Sequence, residues 1–244
     1  MAGIELKTLL VAGLGGILPT FLWLWFWMKN DEEKPEPKRM IAVTYLVGLL
    51  GVLLMLPLQG ILGNLPTTTT TTVIFAGIEE LVKLILVGLV AFRATTIDEP
   101  TDYAVYLITG ALGFSALENS LYLIAIVNQG DTASAILAGN MRFLGSTVLH
   151  TVTVAIIGIM IGLAFWKSKS SKILHGIIGL VFGIGLHTLF NYFILVDTGQ
   201  SILTTFAGLW FVALIIIIIF QRLKDLGSQV PPDQSYVQEK TVTV

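Results

Sequence analysis

The sequence predicts an all-α membrane protein, a polytopic bundle of about seven transmembrane helices. Of its 244 residues, 55% are hydrophobic and only 12% are charged, and the mean hydropathy is +0.84. Soluble domains carry about 25% charged residues. Seven apolar segments approach the roughly 20 residues that a helix needs to cross a bilayer. The chain therefore has little soluble mass, and we expect its chemistry to take place within the membrane.

The seven segments follow one another with short connections. They lie at about residues 9–28, 40–62, 72–92, 103–127, 142–166, 173–196 and 202–220. The first is long, ends in a tryptophan-rich stretch and lacks a small-residue cleavage site, so we expect a retained span rather than a signal peptide. The TTTTTT run at 67–72 is expected to be a loop. Residues 1–226 are predicted to form one transmembrane domain, and 227–244 a disordered cytoplasmic tail.

Basic residues predict the orientation, because cytoplasmic loops are enriched in Lys and Arg. With the N-terminus outside and the C-terminus inside, the outer segments hold only Lys7 and Arg142, and we expect Arg142 to be an interface anchor. The inner loops and the tail hold eleven basic residues: Lys29, Lys34, Lys38, Arg39, Arg93, Lys167, Lys169, Lys172, Arg222, Lys224 and Lys240.

Four of the segments contain polar residues that a lipid-facing helix avoids. A charge at bilayer depth costs at least about 2.5–3.5 kcal/mol on the insertion scale. With about 1.5 Å of rise per residue, these residues lie roughly 10–13 Å below the outer face, so we expect one polar centre. They are Glu79, Glu80 and Lys83 in the third segment, Glu118 and Asn119 in the fourth, His150 in the fifth, and His187 and Asn191 in the sixth.

Helical spacing groups these side chains further. Lys83 follows Glu80 by three residues and Glu79 by four, which is the attractive arrangement for a Glu–Lys pair. His187 and Asn191 are one turn apart and point the same way. Small residues near the centre are expected to let the helices approach closely. They are Gly110, Gly113, Gly158, Gly162, Gly176, Gly179 and Gly183.

Three kinds of function use such a polar centre, and the residues alone leave all three open. The first is hydrolysis, in which a glutamate deprotonates a water while histidines hold an oxyanion or bind zinc. The second is transport, since intramembrane Glu and His chains relay protons or ions. The third is structural pairing of charges. A net charge of −2 offers no basic surface for nucleic acid, and the absence of cysteine excludes disulfides and thiolate ligands.

The polar residues form ordered motifs on successive segments. These are EExxK at 79–83, FxxxEN at 114–119, a histidine followed eight residues later by glycine at 150–158, and HxxxN at 187–191. Together they resemble the PrsW family of intramembrane proteases, within the CAAX-protease and bacteriocin-processing superfamily. The stretch DEEKPEPKR at 31–39 looks like that family's DxxEPEP segment, although by residue chemistry alone it fits a solvated loop remote from the polar centre.

The resemblance implies a multi-pass peptidase of the cell membrane that cuts membrane-anchored proteins, with site-1 cleavage of an anti-sigma factor as the family expectation. Glu79 and Glu80 would then supply the water-activating base. The other catalytic positions carried over are Glu118, His150, His187 and Asn191, with Lys83 and Asn119 in supporting roles.

The resemblance also implies two schemes for activating the water. In one, Glu118, His150 and His187 form a His₂Glu zinc site. In the other, a glutamate and the imidazoles activate water without metal. Two further classes compete with the peptidase. A non-catalytic membrane scaffold of the same fold has little reason to keep the Glu79–Glu80 pair. A small transporter needs a polar path to both faces, whereas the polar residues lie in the outer half.

Overall fold

The computed structural model describes residues 5–30, 35–62, 69–92, 97–129, 132–196 and 202–227. Within these ranges the regular structure is helical and forms seven helices, so the all-α prediction is confirmed. They are α1 (Leu6–Asn30), α2 (Lys38–Leu62), α3 (Thr69–Val90), α4 (Asp102–Val127), α5 (132–162), α6 (Lys169–Val196) and α7 (Ile202–Gly227). The predicted tail lies, from residue 228 onward, outside the described residues.

Length and composition identify a multi-pass membrane protein. Six of the described helices are long and apolar enough to cross a bilayer. The remaining helix, α3, has 22 residues and carries Glu79, Glu80 and Lys83, all of which are buried. Its exposed side chains include Leu81, which is apolar like the surface of the other helices. The charges in α3 therefore face the interior of the protein. The orientation of the bundle, with the N-terminus outside and the C-terminus inside, stays a prediction.

Two boundaries differ from those expected from the sequence. Residues 69–72 of the threonine run form the first turn of α3 rather than a loop, while residues 67–68 lie outside the described ranges. The fifth helix begins at residue 132, ten residues before the predicted start at 142. Residues 142–146 form a π-helical turn that continues this helix, and such a turn has no signal in hydropathy.

Helix α4 forms the centre of the bundle and presents its polar residues to the neighbouring helices. It packs against α1, α2 and α5, while α6 packs against α5 and α3. Residues 102–116 of α4 are buried on every side, as expected for a helix that is apolar all round. Helix α5 lies between α4 and α6. The polar residues of α3, α4, α5 and α6 therefore face a common centre in the bundle.

The described part of the DEEKPEPKR segment, residues 35–39, is exposed except for one buried residue, Glu36. Glu36 is 5% exposed and accepts a hydrogen bond from the Tyr106 hydroxyl of α4. Asp102, the first residue of α4, is also buried and accepts two backbone N–H groups from the preceding turn, at 2.7 and 3.0 Å. Tyr106 and Glu118 lie about 18 Å apart along α4, so this segment anchors the opposite end of the helix from the polar centre.

Glycines let the helix backbones touch at several crossings. A Cβ on Gly110 would meet Val87 of α3, and one on Gly48 of α2 would meet the backbone of Gly110. A Cβ on Gly158 of α5 would likewise meet the backbone of Ala104 in α4. These are the close approaches expected from small residues at helix interfaces in membranes. They hold α3, α4 and α5 near enough for short side chains to meet.

Gly179 provides a test of this packing within α6. A Cβ there would lie 2.8 Å from the Cα atom of Ile157 in α5, so Gly179→Ala must push two backbones apart. Overpacking of this kind costs about 1–3 kcal/mol. We expect Gly179→Ala to lower the thermal unfolding temperature of the detergent-solubilised protein. In the same helix, Gly185 has nothing within 4 Å of its Cβ position, so Gly185→Ala is the matched control. Equal effects of the two substitutions would refute this packing.

Candidate active site

Polar side chains from α3, α4, α5 and α6 meet at one level of the bundle, as the estimated depths predicted. His187 of α6 lies 2.6 Å from Glu80 of α3, and Lys83 of α3 lies 3.0 Å from His150 of α5. His150 in turn lies 3.1 Å from Glu118 of α4. The two imidazole rings stand edge to face, with centroids 5.2 Å apart. One continuous network therefore joins the four helices.

Glu80 joins this network through one of its two carboxylate oxygens, while the other, Oε2, has no hydrogen-bond partner among the described residues. Its Oε1 atom accepts hydrogen bonds from the Lys83 ammonium at 2.6 Å and from the Thr153 hydroxyl at 3.0 Å, and it lies 2.6 Å from Nδ1 of His187. The residue is completely buried. Burial of an unpaired charge is expensive, and these three partners offset it. Glu80 thus ties α3 to both α5 and α6.

The bond to Glu80 fixes the tautomer of His187. A carboxylate only accepts, so Nδ1 of His187 carries a hydrogen, and in the neutral ring Nε2 keeps its lone pair. That lone pair faces Oε2 of Glu79, at 3.6 Å. Oε2 of Glu79 is buried and has no hydrogen-bond partner among the described residues. Two buried acceptor atoms therefore face each other without a donor between them.

His150 is held in the opposite sense. The Lys83 ammonium can only donate, so Nδ1 of His150 accepts from it, and Nε2 of the neutral ring carries the hydrogen. Nε2 then donates to Oε2 of Glu118. The ring also packs edge to face against Phe114 of the FxxxEN motif, with centroids 5.5 Å apart. His150 can offer Nε2 to a metal only after giving up its hydrogen bond to Glu118.

Glu118 and Arg142 form an ion pair across α4 and α5. The guanidinium donates to Oε2 of Glu118, to the side-chain oxygen of Asn119 and, at 3.1 Å, to the Ser146 hydroxyl. The side chains of Arg142 and Glu118 are 19% and 23% exposed. The expectation that Arg142 is an interface anchor is therefore wrong. The π turn at 142–146 turns this residue inward, and no feature of the sequence marks such a turn.

Asn119 joins α4 to α5 rather than facing the reaction centre. Its amide nitrogen donates to the hydroxyls of Ser115 and Thr147, at 3.1 and 3.0 Å, while its oxygen accepts from Arg142. Every polar atom of this buried amide is thus satisfied within the helix interface. The supporting role in catalysis that we expected for Asn119 stays a prediction.

A cavity of about 330 Å³ opens beside the network, between α3, α4, α5, α6 and α7. Glu79, Glu118, His150, His187 and Asn191 all line it. Its wall also contains apolar side chains, including those of Phe190 and Phe206 from α6 and α7. Five of the six residues assigned to catalysis from the sequence therefore border one space.

Glu80 is the sixth of these residues, and it lies behind Glu79 rather than on the cavity wall. His175, the third histidine of the chain, is distant from this centre, because it lies near the start of α6 and its ring bonds the Ser171 carbonyl one turn earlier. Of the two adjacent glutamates, Glu79 is the one placed to contact a molecule in the cavity.

Comparison with known proteins shows the family of the chain. Residues 36–220 match the family model described as PrsW family intramembrane metalloprotease. The chain belongs to the PrsW family. It is also 29% identical over 158 residues to Protease PrsW of Geobacillus kaustophilus (strain HTA426), a match that covers 63% of this chain and 65% of that protein. The chain thus spans slightly less than two thirds of that relative. No solved structure matches it.

A metal site in a PrsW protein needs ligand atoms whose lone pairs converge. Glu79, His150 and His187 each have one potential ligand atom, and these atoms lie within 4.8 Å of one another, although His150 would first have to release one of its two hydrogen bonds. The 3.6 Å between Oε2 of Glu79 and Nε2 of His187 is close to the roughly 3.3 Å expected for two ligands on a tetrahedral zinc. These residues fit a metal. Glu118, the carboxylate assigned from the sequence, instead accepts from Arg142 and His150, so the geometry favours Glu79.

Sequence reasoning missed the hydroxyl and guanidinium groups that complete the PrsW centre. Arg142 and Ser146 bond Glu118, and Thr153 bonds Glu80. Helical periodicity could have indicated Thr153, because this residue follows His150 by three positions and lies on the same helix face. Nothing comparable marks Arg142, since its orientation depends on the π turn.

We expect Arg142→Met to destabilise the protein, because it leaves the Glu118 carboxylate without its charged partner. Loss of a partner to a partly buried charged group costs about 1–3 kcal/mol. The midpoint of thermal unfolding in detergent should therefore fall by several degrees. The matched control is Arg222→Met, which removes an exposed arginine whose pair with Asp225 spans 4.0 Å. Surface pairs of that kind contribute little, so its midpoint should not move. Equal shifts for the two variants would contradict this role of Arg142.

Proposed function

We propose that the protein is an intramembrane endopeptidase that hydrolyses a peptide bond of a membrane-anchored protein. The observation that carries this proposal is the open pair of acceptors, Oε2 of Glu79 and Nε2 of His187, at the wall of the cavity. Buried polar atoms in proteins are nearly always hydrogen-bonded. A pair left open beside a cavity suits a bound water or cation, and among the buried atoms without a partner only Oε2 of Glu79 belongs to a described residue that lines this cavity.

The residues of the network divide between contact and positioning. Glu79 is the adjacent glutamate that reaches the cavity, so it is the one that would bind the metal or, without metal, take the proton of the reacting water. Glu80 positions His187 and Lys83 through its three hydrogen bonds. Lys83 neutralises Glu80, and the charge of Glu79 is thereby left available for the reaction.

The metal of the family's description fits the same atoms. Glu79, His150 and His187 would hold a zinc ion, which when bound supplies a water with a pKa near 7. To offer Nε2 to the ion, neutral His150 would carry its hydrogen on Nδ1 instead, which would break its hydrogen bonds to Glu118 and Lys83. In a metal-free scheme, Glu79 alone acts as the base, with His187 as the second acceptor for the water.

Asn191 and Arg142 complete the binding of the peptide in this proposal. Asn191 lies one turn after His187, and both residues line the cavity, so the amide is placed to donate to the oxygen of a scissile carbonyl. Arg142 holds the Glu118 carboxylate in place at the cavity wall.

The substrate we propose is a protein anchored by a membrane-spanning helix. The catalytic residues lie within membrane-spanning segments, so the bond that is cut must itself enter the bilayer region. With the predicted orientation, this level is near the outer end of the bundle, which suits cleavage towards the extracytoplasmic end of the substrate's helix. Within this class, the family resemblance favours an anti-sigma factor and a first, site-1 cleavage.

Glu79→Gln tests the proposed activity with little change in shape. General base catalysis contributes about 10²–10⁴-fold, so this variant should lose at least that factor in cleavage rate. The measurement is N-terminal labelling of the membrane proteins of cells that produce the wild type or the variant. New N-termini within or beside membrane-spanning segments should appear only with the wild type.

A matched control is Glu36→Gln, which changes a buried glutamate at the opposite end of α4 and should leave cleavage unchanged. Retention of the wild-type N-termini by Glu79→Gln would overturn the proposal. A scaffold would be supported by a different result. In that case variants that misfold would lose a cellular phenotype, while Glu79→Gln would keep it in full.

A further inference from the structure

A second cavity lies between α6 and α7 and opens towards the lipid. It has a volume of about 390 Å³, and its lining is almost entirely apolar. Its apolar walls are formed by Leu189 and Phe193 of α6 and by Val212 of α7. Thr205 and Gly208 of α7 line another side with small residues. Leu189 and Phe193 are exposed on the surface of the bundle. We call this feature the α6–α7 groove.

The α6–α7 groove lies at the depth of the catalytic centre. Its residues on α6 run from 186 to 193, a rise of about 10 Å, and His187 and Asn191 fall within that stretch. The groove and the catalytic cavity therefore occupy two faces of the same two turns of α6. A chain seated in the groove would lie beside the reactive atoms without moving along the membrane normal.

Two phenylalanines separate the groove from the catalytic cavity. Phe190 lines both spaces, and Phe206 lines the catalytic cavity from α7. Their ring centroids are 5.8 Å apart, and both rings rest on Gly145, where a Cβ would lie 2.6 Å from Phe206 and 3.2 Å from Phe190. Gly145 belongs to the π turn of α5. The side chains of Phe190 and Phe206 thus form this boundary.

Helix α7 is fixed on its other side. The indole of Trp210 donates to the Leu144 carbonyl within the π turn, at 3.0 Å, and Phe220 and Leu223 near the end of the helix are fully buried. By contrast, Leu203 and Phe211, towards its start, are exposed to the surroundings. The groove therefore lies along the part of α7 that packs least completely.

We propose that the α6–α7 groove is the docking surface for the membrane-spanning helix of the substrate, and that Phe190 and Phe206 form the partition through which this helix reaches the catalytic cavity. The proposal rests on the proposed peptidase function. A helix with side chains is about 10–12 Å wide, so the groove receives one apolar face of it rather than enclosing it. Thr205 and Gly208 allow its backbone to approach closely, as small residues do between membrane helices. The groove differs from an ordinary depression in a lipid-facing surface because it shares a wall residue, Phe190, with the catalytic cavity.

Site-specific crosslinking tests this docking directly, because the natural chain contains no cysteine. Gly208→Cys places a single thiol in the groove, and Gly185→Cys places one on α6 outside it; both glycines have nothing within 4 Å of their Cβ positions. Each variant is labelled with a benzophenone maleimide and reconstituted into phosphatidylcholine vesicles. The vesicles also contain a biotinylated Leu/Ala helix of about 20 residues, flanked by lysines, which spans the bilayer.

We expect the label at position 208 to capture the biotinylated helix about fivefold more than the label at 185, the preference that roughly 1 kcal/mol of binding free energy produces. Equal capture at the two positions, or labelling of phospholipid alone at 208, would overturn the proposal. Carrying Glu79→Gln in both variants makes the readout independent of cleavage. Peptidase activity is measured separately, in the protein that keeps Glu79. Preferential capture at 208 together with an inactive wild type would contradict the proposed function but leave the docking surface, and a wild type that cleaves without preferential capture at 208 would do the reverse.

Discussion

The three hydrogen bonds at Oε1 of Glu80 are the constraint on which the rest of the structure depends. They come from Lys83 on the same helix, from Thr153 on α5 and from His187 on α6, so one buried carboxylate atom ties three helices together. The bond from His187 also decides which ring nitrogen keeps its lone pair. This explains why α3 carries charges at bilayer depth: one glutamate positions the histidine, the lysine offsets its charge, and the other glutamate faces the cavity.

The packing of the bundle serves this arrangement. Glycines at the crossings of α2, α4, α5 and α6 bring the backbones close, and only then do short side chains such as Thr153 and Ser146 reach their carboxylates. The π turn in α5 adds the Arg142 contact with Glu118 and creates the Gly145 surface on which two phenylalanine rings lie. One irregular turn thus shapes both the catalytic cavity and its boundary with the α6–α7 groove.

Much of this follows from the sequence, because intramembrane polarity is expensive and therefore informative. Hydropathy predicts the helices, and the rise per residue places Glu80, Glu118, His150 and His187 at one level before any coordinates exist. Three features escape such reasoning. The π turn has no hydropathy signal, so the sequence does not predict that Arg142 contacts Glu118. The burial of Glu36 depends on Tyr106, which is 70 residues away. Helix spacing alone does not say which of Glu79 and Glu80 reaches the cavity.

The most direct test of this account is the zinc content of the purified protein, measured by elemental analysis of the wild type and of Glu79→Gln, His187→Ala and Glu118→Gln variants. The account predicts near-stoichiometric zinc in the wild type, its loss in Glu79→Gln and His187→Ala, and its retention in Glu118→Gln, because Glu79 and not Glu118 faces Nε2 of His187. Zinc that survives Glu79→Gln and disappears with Glu118→Gln would contradict it, and a folded wild type that binds no metal would overturn its metal scheme and leave the metal-free one.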